Sequence, residues 1–382
     1  MNVVVPVAVA MVVVTVVPYI IYLGLYALFR PSGSPAAKRE VEPTVSIVLP
    51  TYNEADIIET KLDDLFALDY PMEKLEVVLA DESDDGTANI ARETFEDRSD
   101  PTLTVVERSD RSGVAASVND AVSAATGEVI FRTDCDSKLG RDVLREAVAN
   151  LADPDVGVVT GRQSEVIGNS QVEADYRDIL TTIQLLESHL DSTFIVHGPC
   201  MAFRREDFGG LSTDAVADDT GIAVDARRTG KRVVMDPAMT FAESGVSDIR
   251  KRRQRKDRRA VGLVQLLFRN RDLLGRCDRY GRIVLPFNWW FMILSPWLMI
   301  LDAVLVSVAA VSLVGLLGLA VPAAMLGFVA LGSRDSLGPV QPLYAVVDSQ
   351  FSLLVAGVRL LRGIEDGMWS VDRDSRKWFE NG

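Results

Sequence analysis

Between residues 44 and 163 the chain alternates between two hydrophobic rhythms. Short apolar runs at 44–50 (TVSIVLP), 75–81 (LEVVLAD), 103–107, 128–134 (EVIFRTD) and 156–161 predict buried strands. The stretches between them, 53–68, 86–95, 114–125 and 140–150, carry helical spacing. This alternation predicts an α/β domain with a parallel sheet covered on both faces. Ligands of open α/β sheets bind beyond the carboxyl ends of the strands. The residues of interest therefore follow the predicted strands: Thr51-Tyr52-Asn53-Glu54, Asp81-Glu82-Ser83-Asp84-Asp85-Gly86-Thr87 and Asp134-Cys135-Asp136.

The pattern changes at both ends. Residues 2–29 contain no charged side chain, more than the roughly 20 residues a helix needs to cross a hydrocarbon core. No basic segment precedes this run and no small-x-small cleavage site precedes Arg30, so residues 1–30 read as an uncleaved anchor rather than a signal peptide. Arg30, Lys38 and Arg39 would mark its cytoplasmic flank, within a linker at 31–43. Residues 283–333 carry one charge, Asp302, and suit two spans, or one long span plus an interfacial piece, with Trp289, Trp290 and Trp297 at headgroup level. A third stretch, 342–361, contains Asp348, Gln350 and Arg359; a span, a re-entrant helix and an interfacial helix all stay open. The tail, 362–382, with Arg373, Arg376 and Lys377, is expected in the cytosol.

Charge sharpens this division. Of 382 residues with a net charge of −14, positions 40–249 hold 18 Lys and Arg against 43 Asp and Glu. Positions 250–282 hold 13 against 3, a basic juxtamembrane collar beside an acidic domain at 44–249. The acidic body excludes nucleic acid as a partner. Cys135, Cys200 and Cys277 lie too far apart in sequence for a disulfide framework or a zinc knuckle, and two histidines do not make a His-rich metal site.

Strand-end carboxylates have two readings. Asp84, Asp85 and Thr87 before a helix suit capping. Asp134 and Asp136 are different, because alternation puts both on one side of a chain leaving the sheet, where they repel unless a cation intervenes. Hard oxygen ligands without His or Cys suit Mg2+ or Mn2+, which commonly bridge to phosphate oxygens. In the collar, Arg255, Arg258 and Arg259 stand at i, i+3 and i+4, so one helix face presents three guanidinium forks suited to a phosphate. Arg250, Lys251, Arg252 and Arg253 suit a membrane-surface role.

In order and spacing, PTYNE at 50–54, DESDDGT at 81–87, DCD at 134–136, ADD at 217–219 and RKDRR at 255–259 resemble the family-2 glycosyltransferases. The resemblance is to the membrane-integrated members that include cellulose, chitin and hyaluronan synthases. It implies a GT-A fold, a Rossmann-like nucleotide-binding α/β domain, flanked by transmembrane helices. It also implies roles. Pro50, Tyr52, Glu54, Asp81 and Glu82 would hold the nucleoside, Asp134 the nucleotide-sugar, and Asp136 together with Asp134 a divalent cation, Mg2+ or Mn2+. Asp219 would be the general base, while Asp218, Gly198 and the arginines 255, 258 and 259 would face the diphosphate or the acceptor. Three departures bear on the activity. Val114 follows Gly113 where the family often has Lys, Arg255 and Arg259 replace Gln and Trp, and few spans follow the domain. The implied activity is an inverting, metal-dependent transfer from a nucleotide-sugar to a lipid-linked or polysaccharide acceptor, by a multi-pass plasma-membrane protein with its catalytic domain cytoplasmic. The alternatives are a processive polysaccharide synthase and an inactive membrane scaffold.

Overall fold

The computed structural model describes residues 3–109, 111–167, 171–212, 217–244, 249–276 and 279–363. The chain begins with helix α1 (Val4–Phe29) and continues through β1 (Val45–Thr51), α2 (Ile58–Phe66), β2 (Leu75–Asp81), α3 (Thr87–Phe95), β3 (Thr102–Glu107), α4 (Val114–Ala124) and β4 (Val129–Arg132). There follow β5 (Ser137–Leu139), α5 (Val143–Leu151), β6 (Val156–Ile167), α6 (Gln171–Leu190), β7 (Met201–Arg204), α7 (Asp218–Arg228), β8 (Arg232–Ser244) and α8 (Ile249–Arg269). The helical stretch Tyr280–Gly332 contains α9 (Leu285–Trp289), α10 (Ser295–Val314) and α11 (Ala320–Gly332), and α12 (Gln341–Leu361) closes the described chain.

One eight-stranded sheet runs in the order β3-β2-β1-β4-β7-β6-β8-β5. Side-chain alternation sorts its residues onto two cores. Ile47, Leu49, Val77, Leu79, Val129 and Phe131 face α2 and α5, while Val48, Val78, Ala80 and Ile130 face α4 and α7. The sheet is covered on both faces, as the apolar runs predict, but it is mixed rather than parallel. Strand β7 runs antiparallel to β4 and β6, and β5 antiparallel to β8. The first four strands follow the local βαβ rhythm; the insertion of β7 rests on pairing between β4 and a segment about 70 residues later, which no local pattern encodes.

Helix α2 starts at Ile58 instead of residue 53. Asn53 adopts a left-handed backbone (φ 56) and donates its N–H to Ser83 Oγ at 2.7 Å, so 53–57 form a turn pinned to the neighbouring loop. The linker is strapped to the domain: Ala37 N–H donates to Asp153 Oδ2 at 2.8 Å, and Lys38 ion-pairs with Glu146 and with the buried Asp236.

Three helical stretches, Val4–Phe29, Tyr280–Gly332 and Gly338–Leu361, are long and apolar enough to cross a membrane. α1 packs on α10, with Tyr19 Oη bonded to Ser295 Oγ at 3.0 Å, and stacks Tyr22 on Phe287 of α9; both α1 and the start of the Tyr280–Gly332 stretch meet the α/β domain at α6. The join is polar inside. Buried Glu187 of α6 accepts from Asn288 Nδ2 (2.7 Å), Phe194 N (2.9 Å) and Thr193 Oγ1 (3.2 Å). Helix α12 lies along α8, where Asp348 pairs with Arg253 (2.8 Å) and Lys256 (2.9 Å), and Ser352 accepts from Arg253. Arg253 is thus committed to a helix–helix seam. The side chains of Arg250, Lys251 and Arg252, and the tail at 364–382, lie outside the described residues.

Candidate active site

The strand ends carry two groups of carboxylates. The first follows β1 and β2. Asp81 is buried and accepts from Thr51 Oγ1 at 2.6 Å and from Ser83 Oγ; burial raises its pKa, against those hydrogen bonds. Glu82 accepts from Ser112 N (3.1 Å), Ser112 Oγ (2.6 Å), Gly113 N (3.3 Å) and Ser117 Oγ (2.9 Å), which binds it to the start of α4. Gly113 has φ 91, a conformation that favours glycine and turns those N–H groups onto the carboxylate. Asp85 accepts from Thr87 N and Ala55 N at 3.1 Å, the capping role its sequence suits. Pro50, one residue from the end of β1, is half-buried, Glu54 is buried beside Thr87, and the ring of Tyr52 lies under the Arg111 guanidinium at 4.2 Å. Arg111 therefore stands beside Tyr52, at the end of the cleft that follows β1 and β2.

The second group lies at the end of β4 and the start of α7. Asp134 and Asp136 are partly exposed, and Cys135 between them is buried in the core below. Beneath them, fully buried Lys61 donates to Thr133 Oγ1 (3.0 Å) and to the Ser137 carbonyl (2.6 Å), so α2 props the loop that carries both acids. Asp218 and Asp219 open α7, where the helix dipole favours negative charge. The Asp219 carboxylate accepts from Gly198 N at 3.1 Å and Thr220 N at 2.6 Å.

Arg132 joins these elements. Its guanidinium, buried, lies 2.6 Å from Asp218 Oδ2 and 3.9 Å from Asp134 Oδ1. A Cβ on Gly198 would stand 3.2 Å from its Cζ, so the glycine leaves room for the guanidinium as well as supplying the N–H for Asp219. One cation does not balance four acids. Burial and the charges of Asp136, Asp218 and Asp219 push Asp134 up to about 6, with Arg132 opposing. Burial and Asp219 likewise raise Asp218.

Further cations come from α8. Arg255 Nη2 lies 3.9 Å from Asp136 Oδ2, and Arg258 is lowered by burial and the charges of Arg255 and Arg259, with Asp218 and Asp134 opposing. Arg259 is exposed near His197. His197 is buried against Gln184, and burial followed by the Arg259 charge drops it to about 3, so it stays neutral. Glu243 of β8 sits opposite Ser137 in the ladder; burial and the charges of Asp136 and Asp134 push it up to about 8.

Alternation along FRTDCD places Arg132 with Asp134 and Asp136, a signal present in the sequence. Lys61 and Glu243 had none, since each reaches the site through pairings distant in the chain. Among the described residues no three of His, Cys, Asp and Glu converge into a self-sufficient cation cage. The donor set still fits Mg2+ or Mn2+, which one or two carboxylates hold together with substrate phosphate oxygens.

The sequence profile described as "Glycosyl transferase family 2" matches residues 46–211, and that described as "Glycosyl transferase family group 2" matches 129–331, more than half of the chain. The chain belongs to glycosyl transferase family 2. The fold of this glycosyltransferase is similar to the mannosyltransferase PcManGT from Pyrobaculum calidifontis, solved in complex with GDP-Man and Mn2+. The TM-score is 0.77 at 31% identity, covering 93% of this chain and 98% of that one. In sequence it is 30% identical over 147 residues to glycosyltransferase AglE of Haloferax volcanii, covering 38% of this chain and 48% of that protein. It is 23% identical over 202 residues to the poly-beta-1,6-N-acetyl-D-glucosamine synthase of Staphylococcus aureus, covering 50% and 48%. The match spans about half the length of these two relatives.

Proposed function

We propose that this glycosyltransferase is inverting and metal-dependent, and transfers one sugar from a nucleotide-sugar to a lipid-linked acceptor at the cytoplasmic face of the plasma membrane. One observation carries the reading: Asp134, Asp218 and Asp219, from two elements distant in the chain, converge on Arg132, and Asp136 beside them faces Arg255 of α8. Acids this close disfavour one another's ionisation, a cost that a purely structural cluster would shed.

In this reading Pro50, Tyr52, Glu54 and Asp81 line the nucleoside end. Asp136 and Asp134 would hold Mg2+ or Mn2+, which supplies Lewis-acid neutralisation of the leaving nucleoside diphosphate. The oxygen of an acceptor hydroxyl attacks the anomeric carbon from the face opposite the diphosphate. As that C–O bond forms and the bond to the diphosphate breaks, the acceptor proton passes to Asp219. The two N–H groups on Asp219 fix its carboxylate while it waits as a base. Arg255, Arg258 and Arg259 offer planar forks to a phosphate on the acceptor or the diphosphate.

GDP-mannose is the first donor to test, because the solved mannosyltransferase carries it. The basic residues after α1 and in the collar favour a cytoplasmic catalytic domain. Protease on sealed right-side-out vesicles should then leave residues 40–282 uncut. For the reaction, membranes containing the chain are given labelled GDP-mannose and Mn2+, and label is counted in the lipid extract. Single sugars on lipid support the proposal. Long polymer replaces it with processive synthesis, and nucleotide binding without transfer from any nucleotide-sugar leaves a scaffold.

A further inference from the structure

An open cavity of about 730 Å3 lies away from the carboxylate cleft. Asp219 opens α7 and Arg227, in its last turn, lines this cavity, which therefore sits at the opposite end of that helix. Its walls are Arg232 at the start of β8, His189 to Asp191 at the end of α6, and Arg279, Arg282 and Ile283 where the long apolar stretch begins.

The wall is basic, and its inner part is already committed. Arg232 donates to the Ser188 and Asp191 carbonyls at 2.9 and 3.0 Å. Arg227 donates to the Lys231 carbonyl, pairs with Asp191 at 3.2 Å and lies over the Tyr280 ring at 5.1 Å. These bonds neutralise Asp191 and fix two guanidiniums, yet the buried Nε of Arg227 has no hydrogen-bond partner among the described residues. Arg279 and Arg282, one helical turn apart, are exposed and have no ion-pair partner among the described residues. Four arginines against two aspartates, Asp191 and Asp155, with an orphaned buried N–H, call for an anion.

The geometry points to a site for the phosphate of an anionic phospholipid, taken from the leaflet on the catalytic domain's side. This rests on the membrane reading above. Free phosphate shares the recognising chemistry, but the setting favours lipid. The cavity has the volume of an organic-ligand pocket and exceeds what one phosphate ion fills. Arg279 immediately precedes, and Arg282 stands on, the first turn of a 53-residue apolar stretch, along which acyl chains could run, and Ile283 gives the cavity an apolar lip. A basic pocket at the root of a membrane helix binds headgroups in this way.

The test uses the full chain in nanodiscs of phosphatidylcholine with or without phosphatidylglycerol. Retained lipid is read by native mass spectrometry and thermal stability is followed in parallel. The wild type should retain phosphatidylglycerol and gain stability from it. The double variant Arg279→Gln, Arg282→Gln should bind it roughly thirtyfold more weakly, from the usual contribution per basic residue at a lipid surface. The control Arg271→Gln, Arg276→Gln, on exposed basic residues outside the cavity, should bind as the wild type does. Equal retention by both variants overturns the site, as does full displacement by inorganic phosphate. A chain that fails to float with vesicles overturns the membrane reading and this site together; a chain that floats but shows no lipid preference overturns this site alone.

Discussion

The carboxylates after β1 and β2 and those after β4 belong to the same residue types, lie along one edge of one sheet, and behave as opposites. Glu82 and Asp85 have several donors each, and Asp81 has two hydroxyls. Asp134 and Asp136 meet mainly other charges: Arg132 and Arg255 at 3.9 Å, and one another. Hydrogen-bonded acids hold loops in place, whereas acids crowded against one another are poised for a ligand that brings cations or protons. The local sequences DESDD and DCD do not announce this difference. It arises from what the fold sets against each.

The comparison breaks most readily at Asp136. Asp136→Asn removes a hard anionic ligand, so metal-dependent turnover should be lost while the fold persists. Manganese binding by calorimetry and nucleotide-sugar turnover check this on one preparation. Next comes buried Arg132, whose removal leaves the partly exposed Asp218 and Asp134 without their cation. Arg132→Gln should cost about 3–5 kcal/mol of stability, the range for breaking a buried pair. A thermal midpoint close to the wild type's would mean that the cluster is already neutral. Glu82→Gln tests the contrast from the other side. It should cost about 1–3 kcal/mol through weakened bonds to 112–117, and change turnover by less than tenfold. A much larger loss of nucleotide affinity would move Glu82 from scaffold to ligand.

The smallest effect concerns Glu187, remote from the cleft. Burial pushes its carboxyl up to about 7 from an ordinary 4.5, against bonds from Phe194, Asn288 and Thr193. The folded chain holds this proton where the unfolded chain has lost it. Its contribution is therefore full below pH 4.5 and is lost as pH rises to about 7. Glu187→Gln should flatten that part of the stability profile, measured by thermal unfolding at a series of pH values.

The first half of the catalytic domain was legible because its strands and helices follow one another with little long-range pairing. The apolar ends were legible from composition alone, and the strand-end motifs located the cleft. What escaped depended on distant parts of the chain. Strand β7 enters the sheet antiparallel, Lys61 reaches under the acidic loop from α2, and Glu243 faces Ser137 across the β5–β8 ladder. Arg132 is an intermediate case: alternation puts it beside Asp134, but only the fold brings Asp218 to it. The commitment of Glu82 to α4 was also hidden, since its donors lie 30 residues on.

The central claim is that the crowded carboxylates do chemistry, and Asp219 tests it most directly. Asp219→Asn keeps the size of the side chain, and its one amide oxygen can still accept from either Gly198 or Thr220, which bond different oxygens of the aspartate, but it cannot take a proton. Turnover and nucleoside-diphosphate affinity should be measured on the same preparation of this variant and of the wild type. The account predicts turnover down by about 10²–10⁴-fold with affinity nearly unchanged. Near-normal turnover with a modest loss of thermal stability would contradict it, leaving Asp219 as the helix-capping residue that its place at the start of α7 also suits.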